Sequence, residues 1–300
     1  MDKLKSTQDG QNNGWIFLTF NGLFFFKFFR PLWDLVLTSY RSDTFSYIPF
    51  IPLISIYILN IDKRIIFSKK NTFAAAGLIP ISIGIVIIFF TKKLIGSLDH
   101  FDYLSLLTLS MVLIWIGGFT LCYGIRSLRA AAVPFLFLFF MVPIPTVALD
   151  KIISILQTGS AIVAYGFFKA AHIPMSRDGF VFHLSTINIE VAPECSGIRS
   201  AISLLITGLL AGHFYLRTGW SKIILLLTII PITLLKNGFR IAALSILGVY
   251  VDERILGSEL HRNGGILFFI FALVLLWAVI ALLRRVEGKK RHGNEPLLFI

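Results

Sequence analysis

Apolar residues run through this chain in long blocks, not in the short alternations of a water-soluble fold. Eight blocks approach the ~20 residues that cross a bilayer. They cover roughly 15–38 (broken near Arg30-Pro31), 45–60, 73–91, 101–123, 130–148, 197–216, 221–249 and 263–283. A ninth, Lys151 to Ala171, is patterned differently. Positions 152, 155, 156, 159, 162 and 163 form an apolar helical face, while Lys151, Gln157, Thr158, Ser160 and Lys169 supply a polar one. That pattern predicts a helix lying at the interface, not a crossing. Between Gly179 and Val191 the period falls to two. Phe180-Val-Phe-His-Leu184 and Ile187-Asn-Ile-Glu-Val191 flank Ser185-Thr186, which predicts a β-hairpin outside the membrane with an edge suited to an extended peptide.

Composition agrees with the pattern. The chain has 300 residues, of which 56% are hydrophobic and 15% charged, and its mean hydropathy is +0.81. The expected class is an all-α polytopic membrane protein with about eight transmembrane helices, one interfacial helix and a short extracytoplasmic β-hairpin. One multispan domain is expected over 1–300: a polar cytoplasmic N-terminus at 1–14, a transmembrane core at 15–283 and a basic cytoplasmic tail at 284–300. No short apolar stretch is followed by a small-residue cleavage site, so no removable signal peptide is expected, and no internal repeat is visible.

The net charge of +12 changes the picture less than it would in a soluble protein. The cations sit at the ends of the apolar blocks, at Lys63, Arg64, Lys69 and Lys70, at Arg126 and Arg129, at Arg217 and Lys222, and from Arg284 to Arg291. There they mark topology and meet membrane lipids; nucleic acid is not an expected partner. Putting the Arg126/Arg129, Arg217/Lys222 and Arg284–Arg291 clusters in the cytoplasm makes both termini cytoplasmic and leaves 149–196 beginning and ending outside. Lys92 and Lys93 then fall outside, a minor violation. The expected location is the plasma (inner) membrane.

Chemistry gathers at three places. Cys195, one of two cysteines, lies in Ala192-Pro-Glu-Cys-Ser-Gly-Ile-Arg-Ser200 at the outer end of the 197–216 block. Ser196 suits an N-cap, and helix first-turn amides favour a thiolate. Arg240 lies about nine residues from the outer end of its block, roughly 13 Å deep at 1.5 Å per residue. At that depth an arginine marks a functional interior, and it can hydrogen-bond an oxyanion but cannot act as a base. Asn237 shares its face, and Lys236 lies one turn deeper with no assigned role. His261 opens the last block in His261-Arg-Asn-Gly-Gly265, again at the outer end, where a neutral imidazole base is favoured. A nucleophile, a cationic stabiliser and a base at the ends of three consecutive spans form an acyl-transfer constellation. Cys122 reads as inert. The histidines lack metal-ligand spacing, so neither metal nor cofactor is expected.

These segments resemble the exosortase/archaeosortase family of multispan membrane cysteine transpeptidases. Glu194-Cys-Ser-Gly-Ile-Arg199 is similar to the family's cysteine box, Lys236-Asn-Gly-Phe-Arg-Ile241 to its Asn-x-x-Arg box, and His261-Arg-Asn-Gly-Gly265 to its histidine box. Arg129-Ala-Ala-Ala-Val-Pro134 through Pro143-Ile-Pro145 resembles the central region, and the likeness spans roughly 40–285. It implies cleavage of secreted proteins that end in a short motif, a hydrophobic span and a basic tail. The new carboxyl end then passes to an acceptor, a lipid or a glycan. It also implies Cys195 as nucleophile, Arg240 as oxyanion stabiliser and His261 as acid/base, supported by Glu194, Ser196, Gly197 and Asn237. Two other readings of the residues stay open at this point. One is an anion or small-molecule transporter using Lys236, Asn237 and Arg240; the other is a non-catalytic partner in exopolysaccharide assembly.

Overall fold

The computed structural model describes residues 2–67, 74–94, 96–185, 187–251 and 265–292. It is a polytopic all-α fold with one small sheet. The chain divides into two compact units, Met1–Ala148 and Leu149–Ile300. Six helical stretches among the described residues are long and apolar enough to cross a membrane: Ala74–Lys93, His100–Ala130, Thr146–Ala170, Pro193–Tyr215, Gly219–Tyr250 and Gly265–Gly288.

The first unit is built around α4 (His100–Ala130), which is the most buried of the long helices. Helix α1 (Asp2–Arg41) runs unbroken through Pro31, where the apolar pattern suggested an interruption. It packs on α4 through Phe17, whose ring meets Trp115, Phe119 and Tyr123, and through a 2.9 Å bond from Trp115 Nε1 to Asn21 Oδ1. Helix α3 (Leu78–Lys93) follows a 3-10 turn at Ala74–Gly77 and lies close against α4. A Cβ on Gly77 would stand 2.4 Å from the Gly117 carbonyl oxygen, so this approach requires glycine. Helix α2 (Ile51–Phe67) packs on α5 (Ala132–Leu138), with Ser55 Oγ donating to the Pro134 carbonyl at 3.0 Å.

The 130–148 block is not one helix. Helix α5 and a 3-10 turn (Phe139–Met141) give way to non-helical backbone through Pro143-Ile-Pro145. Each proline biases the residue before it away from helix and removes an amide donor. The segment nevertheless retraces α4 from end to end. Phe135 meets Phe119 and Trp115 edge to face, Ser105 bonds the Pro143 carbonyl, and Asp102 accepts from the amide and hydroxyl of Thr146 at 2.8 and 2.9 Å. These polar bonds satisfy backbone that the prolines strip of its helical partners.

The second unit holds the rest. Helix α6 (Thr146–Ala170), placed at the interface by its sequence pattern, is long and apolar enough to cross. Its orientation reverses the expectation. Gln157, Ser160, Ala161, Ala164 and Phe168 make the buried stripe, while Ile152, Ile155 and Ile162 point outward. The small residues allow close approach: a Cβ on Gly238 would meet Val163 Cγ1 at 2.5 Å.

The expected hairpin is present as β2 (Val181–Leu184) and β3 (Asn188–Glu190), antiparallel, with Phe182 opposite Ile189. A third strand, β1 (Met175–Asp178), pairs on the other side of β2 and gives the order β1-β2-β3. Phe182, Leu184 and Val191 anchor the sheet on Ala161, Ala164 and Phe168 of α6 and Ala242 farther along the chain.

A 3-10 turn (Pro193–Ser196) leads into α7 (Ile198–Tyr215), followed by α8 (Gly219–Tyr250) and α9 (Gly265–His292). Leu204, Leu225, Ile229, Leu276 and Ile280 form their shared core. Helix α8 continues through Pro231. At one end Glu287 of α9 accepts from the Arg217 and Thr218 amides and the Thr218 hydroxyl, fastening the α7–α8 turn. Arg284 lies over the Tyr215 ring at this same end. The basic cluster is therefore gathered at one end of these three helices. The start of α7, the end of α8 and the start of α9 lie at the other.

Candidate active site

The site grows from the turn that precedes α7. Ala192 is extended, Pro193 fixes the first position, and Cys195 N–H bonds the Ala192 carbonyl at 2.9 Å, closing the 3-10 turn. Gly197 then adopts φ 81°, a left-handed conformation that reverses the chain into α7. Gly197, not Ser196, is thus the cap of the helix. Ser196 is fully buried, and its hydroxyl has no hydrogen-bond partner among the described residues. Cys195 is half-buried and stands one short turn ahead of the helix, with Glu194 exposed beside it.

Helix α8 holds this turn from beneath. The Asn237 side-chain amide donates to the Cys195 carbonyl at 2.7 Å and to Ser160 Oγ of α6 at 3.0 Å. Asn237 is 0% exposed, so these bonds form where water cannot replace them. Its Oδ1 lies against Gly197, at 3.0 Å from where a Cβ there would stand, and has no hydrogen-bond partner among the described residues. Two conditions therefore demand glycine at 197, the backbone angle and the contact with Asn237.

Lys236 is buried as well, and donates to Ser200 Oγ, which in turn donates to the Gly197 carbonyl at 2.9 Å. Adjacent residues of α8 thus hold the turn at two carbonyls, Cys195 directly and Gly197 through Ser200. On the α6 side, Gln157 Nε2 bonds the Val191 carbonyl, fixing the strand that enters the turn. Gln157, Ser160 and Ser200 are site residues that the sequence reading did not single out. Their signal lies in the spacing of polar and small residues at 157, 160, 161 and 164, which marks a polar interface between helices instead of a water-facing side.

Cys195 opens into a cleft lined by Ile189, Glu190, Val191, Asn237, Arg240, Ile241, Leu244 and Ser245. Asn237 and Arg240, three residues apart, share the α8 face that forms one wall. Cys195 and Arg240 line the same cleft, and Glu194 immediately precedes Cys195 in the turn. A half-buried thiol, an arginine and a clamped amide therefore meet in one partly desolvated place. His261 lies outside the described residues, as does the rest of its box. The described flanks of that segment are Val251, at the end of α8, and Gly265, at the start of α9. Cys122 is buried in α4 of the first unit.

The arrangement suits acyl transfer: a nucleophile, a cation able to receive developing negative charge, and backbone carbonyls pinned so that the nucleophile keeps its place. No curated protein and no solved structure matches the chain. Residues 33–278, more than four fifths of the sequence, match the family model described as Transmembrane exosortase (Exosortase_EpsH). The three motif boxes, the polytopic fold and this match agree, and the chain belongs to the transmembrane exosortases, a family with a membrane transpeptidase type of role.

Proposed function

We propose that the protein is a cysteine peptidase and transpeptidase that processes the C-terminal tails of secreted proteins at the extracytoplasmic face of the plasma membrane. The observation that carries this reading is the shared cleft of Cys195, Asn237 and Arg240. It supports an acyl-transfer site over a lone structural thiol.

The Cys195 thiol gives its proton to the neutral His261 imidazole, and the resulting thiolate attacks the scissile carbonyl of the tail. The carbonyl oxygen becomes an oxyanion, and Arg240 stabilises it. The tetrahedral intermediate collapses, the C–N bond breaks, and the leaving amine takes a proton from the His261 imidazolium, releasing the apolar span and basic tail. The acyl group remains on sulfur as a thioester. An acceptor hydroxyl or amine then loses its proton to neutral His261 and attacks, and the Cys195 thiolate leaves. Asn237 keeps the Cys195 carbonyl fixed through both halves of the reaction. Glu194, Ser196 and Gly197 shape the turn. The reaction needs neither metal nor cofactor.

The side of the membrane follows from charge. Arg217, Lys222, Arg284 and Arg285 lie at the end of the helices away from Cys195, which assigns that end to the cytoplasm by the positive-inside rule. The C-terminal end of α9 is then cytoplasmic. A tail with its own hydrophobic span enters sideways from the bilayer and brings its motif to the outer end.

The test is processing in cells. A secreted reporter carrying such a tail is co-expressed with the protein. Wild type shortens the reporter, whereas Cys195→Ala leaves it full length; processing that survives Cys195→Ala contradicts the assignment.

A further inference from the structure

We infer that the outer edge of β3 is the docking strand for substrate: an extended peptide adds to the sheet there and is led past Cys195. The inference rests on the peptidase reading above and specifies how that site takes hold of a chain.

Three observations carry it. First, β3 ends the sheet, since the strand order is β1-β2-β3. Its register fixes which backbone groups face outward. The Leu184 amide bonds the Ile187 carbonyl and the Val191 amide bonds the Phe180 carbonyl. In an antiparallel pair the bonded positions alternate. Positions 187, 189 and 191 therefore face β2, and the amides and carbonyls of Asn188 and Glu190 are directed away from it.

Second, Ile189, Glu190 and Val191 all line the Cys195 cleft. Neighbouring residues of a strand project their side chains to opposite faces. A cleft touched by three in succession must run along the edge of the strand, not over one of its faces.

Third, the strand leads straight into the nucleophile, because only Val191 and the turn at Ala192–Glu194 separate it from Cys195. The far wall of the cleft is the α8 face of Arg240, Ile241, Leu244 and Ser245. A chain bonded to Asn188 and Glu190 lies between strand and helix, with its next carbonyl directed toward the thiol and Arg240.

The occupant this surface fits is an extended, non-helical stretch of polypeptide with at least two main-chain groups in strand geometry. In a tailed substrate that is the short motif ahead of the apolar span, since the span itself satisfies its amides internally as a helix. Main-chain pairing gives affinity with little sequence demand. Discrimination falls to alternate side chains, which meet exposed Glu190 and Glu194 on one side and the apolar cleft wall on the other.

Proline tests the edge directly. Glu190→Pro removes an amide that β2 does not use, whereas Glu190→Ala keeps it. Both are made in Cys195→Ala protein in nanodiscs, and capture of a reporter ending in motif, apolar span and basic tail is measured. Glu190→Pro is expected to capture about ten-fold more weakly than Glu190→Ala, the scale of one hydrogen bond. Equal capture by the two overturns the inference. Asn188→Pro against Asn188→Ala repeats the test at the second outward position, and thermal unfolding in detergent identifies a variant that has failed to fold. On the substrate side, replacing single motif amides with esters is expected to weaken capture at alternate positions; uniform tolerance overturns the inference.

Capture and cleavage separate the two claims. A Pro/Ala difference in capture with no cleavage by wild type supports the edge and removes the cysteine chemistry. Cleavage with no Pro/Ala difference retains the chemistry and removes the edge.

Discussion

Cys195, the proposed nucleophile, works only if its backbone stays in place, and two neighbouring side chains hold that backbone. Asn237 grips the Cys195 carbonyl while bonded to Ser160, and Lys236 reaches the Gly197 carbonyl through Ser200. Asn237→Leu keeps the volume and removes the donors. Tail processing is expected to fall roughly 10- to 100-fold, corresponding to about 1–3 kcal/mol for buried groups left unpaired. The measurement is kcat/KM on a tailed reporter, and a change below two-fold would remove Asn237 from the account. Lys236→Met and Ser200→Ala both break the Lys236–Ser200 bond, and Ser200→Ala also removes the bond to the Gly197 carbonyl. Each is expected to cost about ten-fold in kcat with KM little changed, and the double variant to be no worse than the weaker single. Additive losses would mean that the two side chains act separately. Gly197→Ala meets two obstacles, the positive φ and the Asn237 side chain. It is expected to lose about 1–3 kcal/mol of stability together with activity.

The elements themselves differ in how plainly the chain announces them. The long apolar blocks are legible because ~20 apolar residues in a row have few destinations besides a bilayer. The β2–β3 hairpin is legible because alternation is unambiguous over ten residues. Strand β1 is not, since Met175-Ser-Arg-Asp178 has no alternation of its own and becomes a strand by pairing with β2. Helix α6 misleads for a physical reason. A polar stripe on an apolar helix faces either water or the interior of the protein, and periodicity cannot distinguish them. Here Gln157 and Ser160 face inward to Val191 and Asn237. That Cys195, Asn237 and Arg240 share one end of the helices could be expected from their places in the apolar blocks, and they line one cleft; the clamp on them could not, because Ser160, Gln157 and Ser200 reach the turn from other helices. An element-scale test follows from Glu287, which fastens the α7–α8 turn far from Cys195. Glu287→Ala is expected to lower stability by roughly 1–2 kcal/mol. Thermal unfolding in detergent measures this, and an unchanged midpoint would show that the fastening contributes nothing.

For the molecule as a whole, the proposed chemistry lies at one end of a membrane fold. The helices of the second unit gather Arg217, Arg284 and Arg285 at one extremity and the sheet, the turn and the cleft at the other. A membrane-impermeant maleimide applied to intact spheroplasts is expected to label Cys195 and not Cys122, which is buried in α4. Labelling of Cys195 only after lysis would reverse the orientation. Covalent chemistry at that thiol is open to trapping. The protein is incubated with a tailed substrate, quenched in acid and resolved without reductant. The expected result is an adduct of protein and substrate that neutral hydroxylamine releases and that Cys195→Ala does not form. A substrate that is processed with no such adduct, or an adduct that persists in Cys195→Ala, would contradict it.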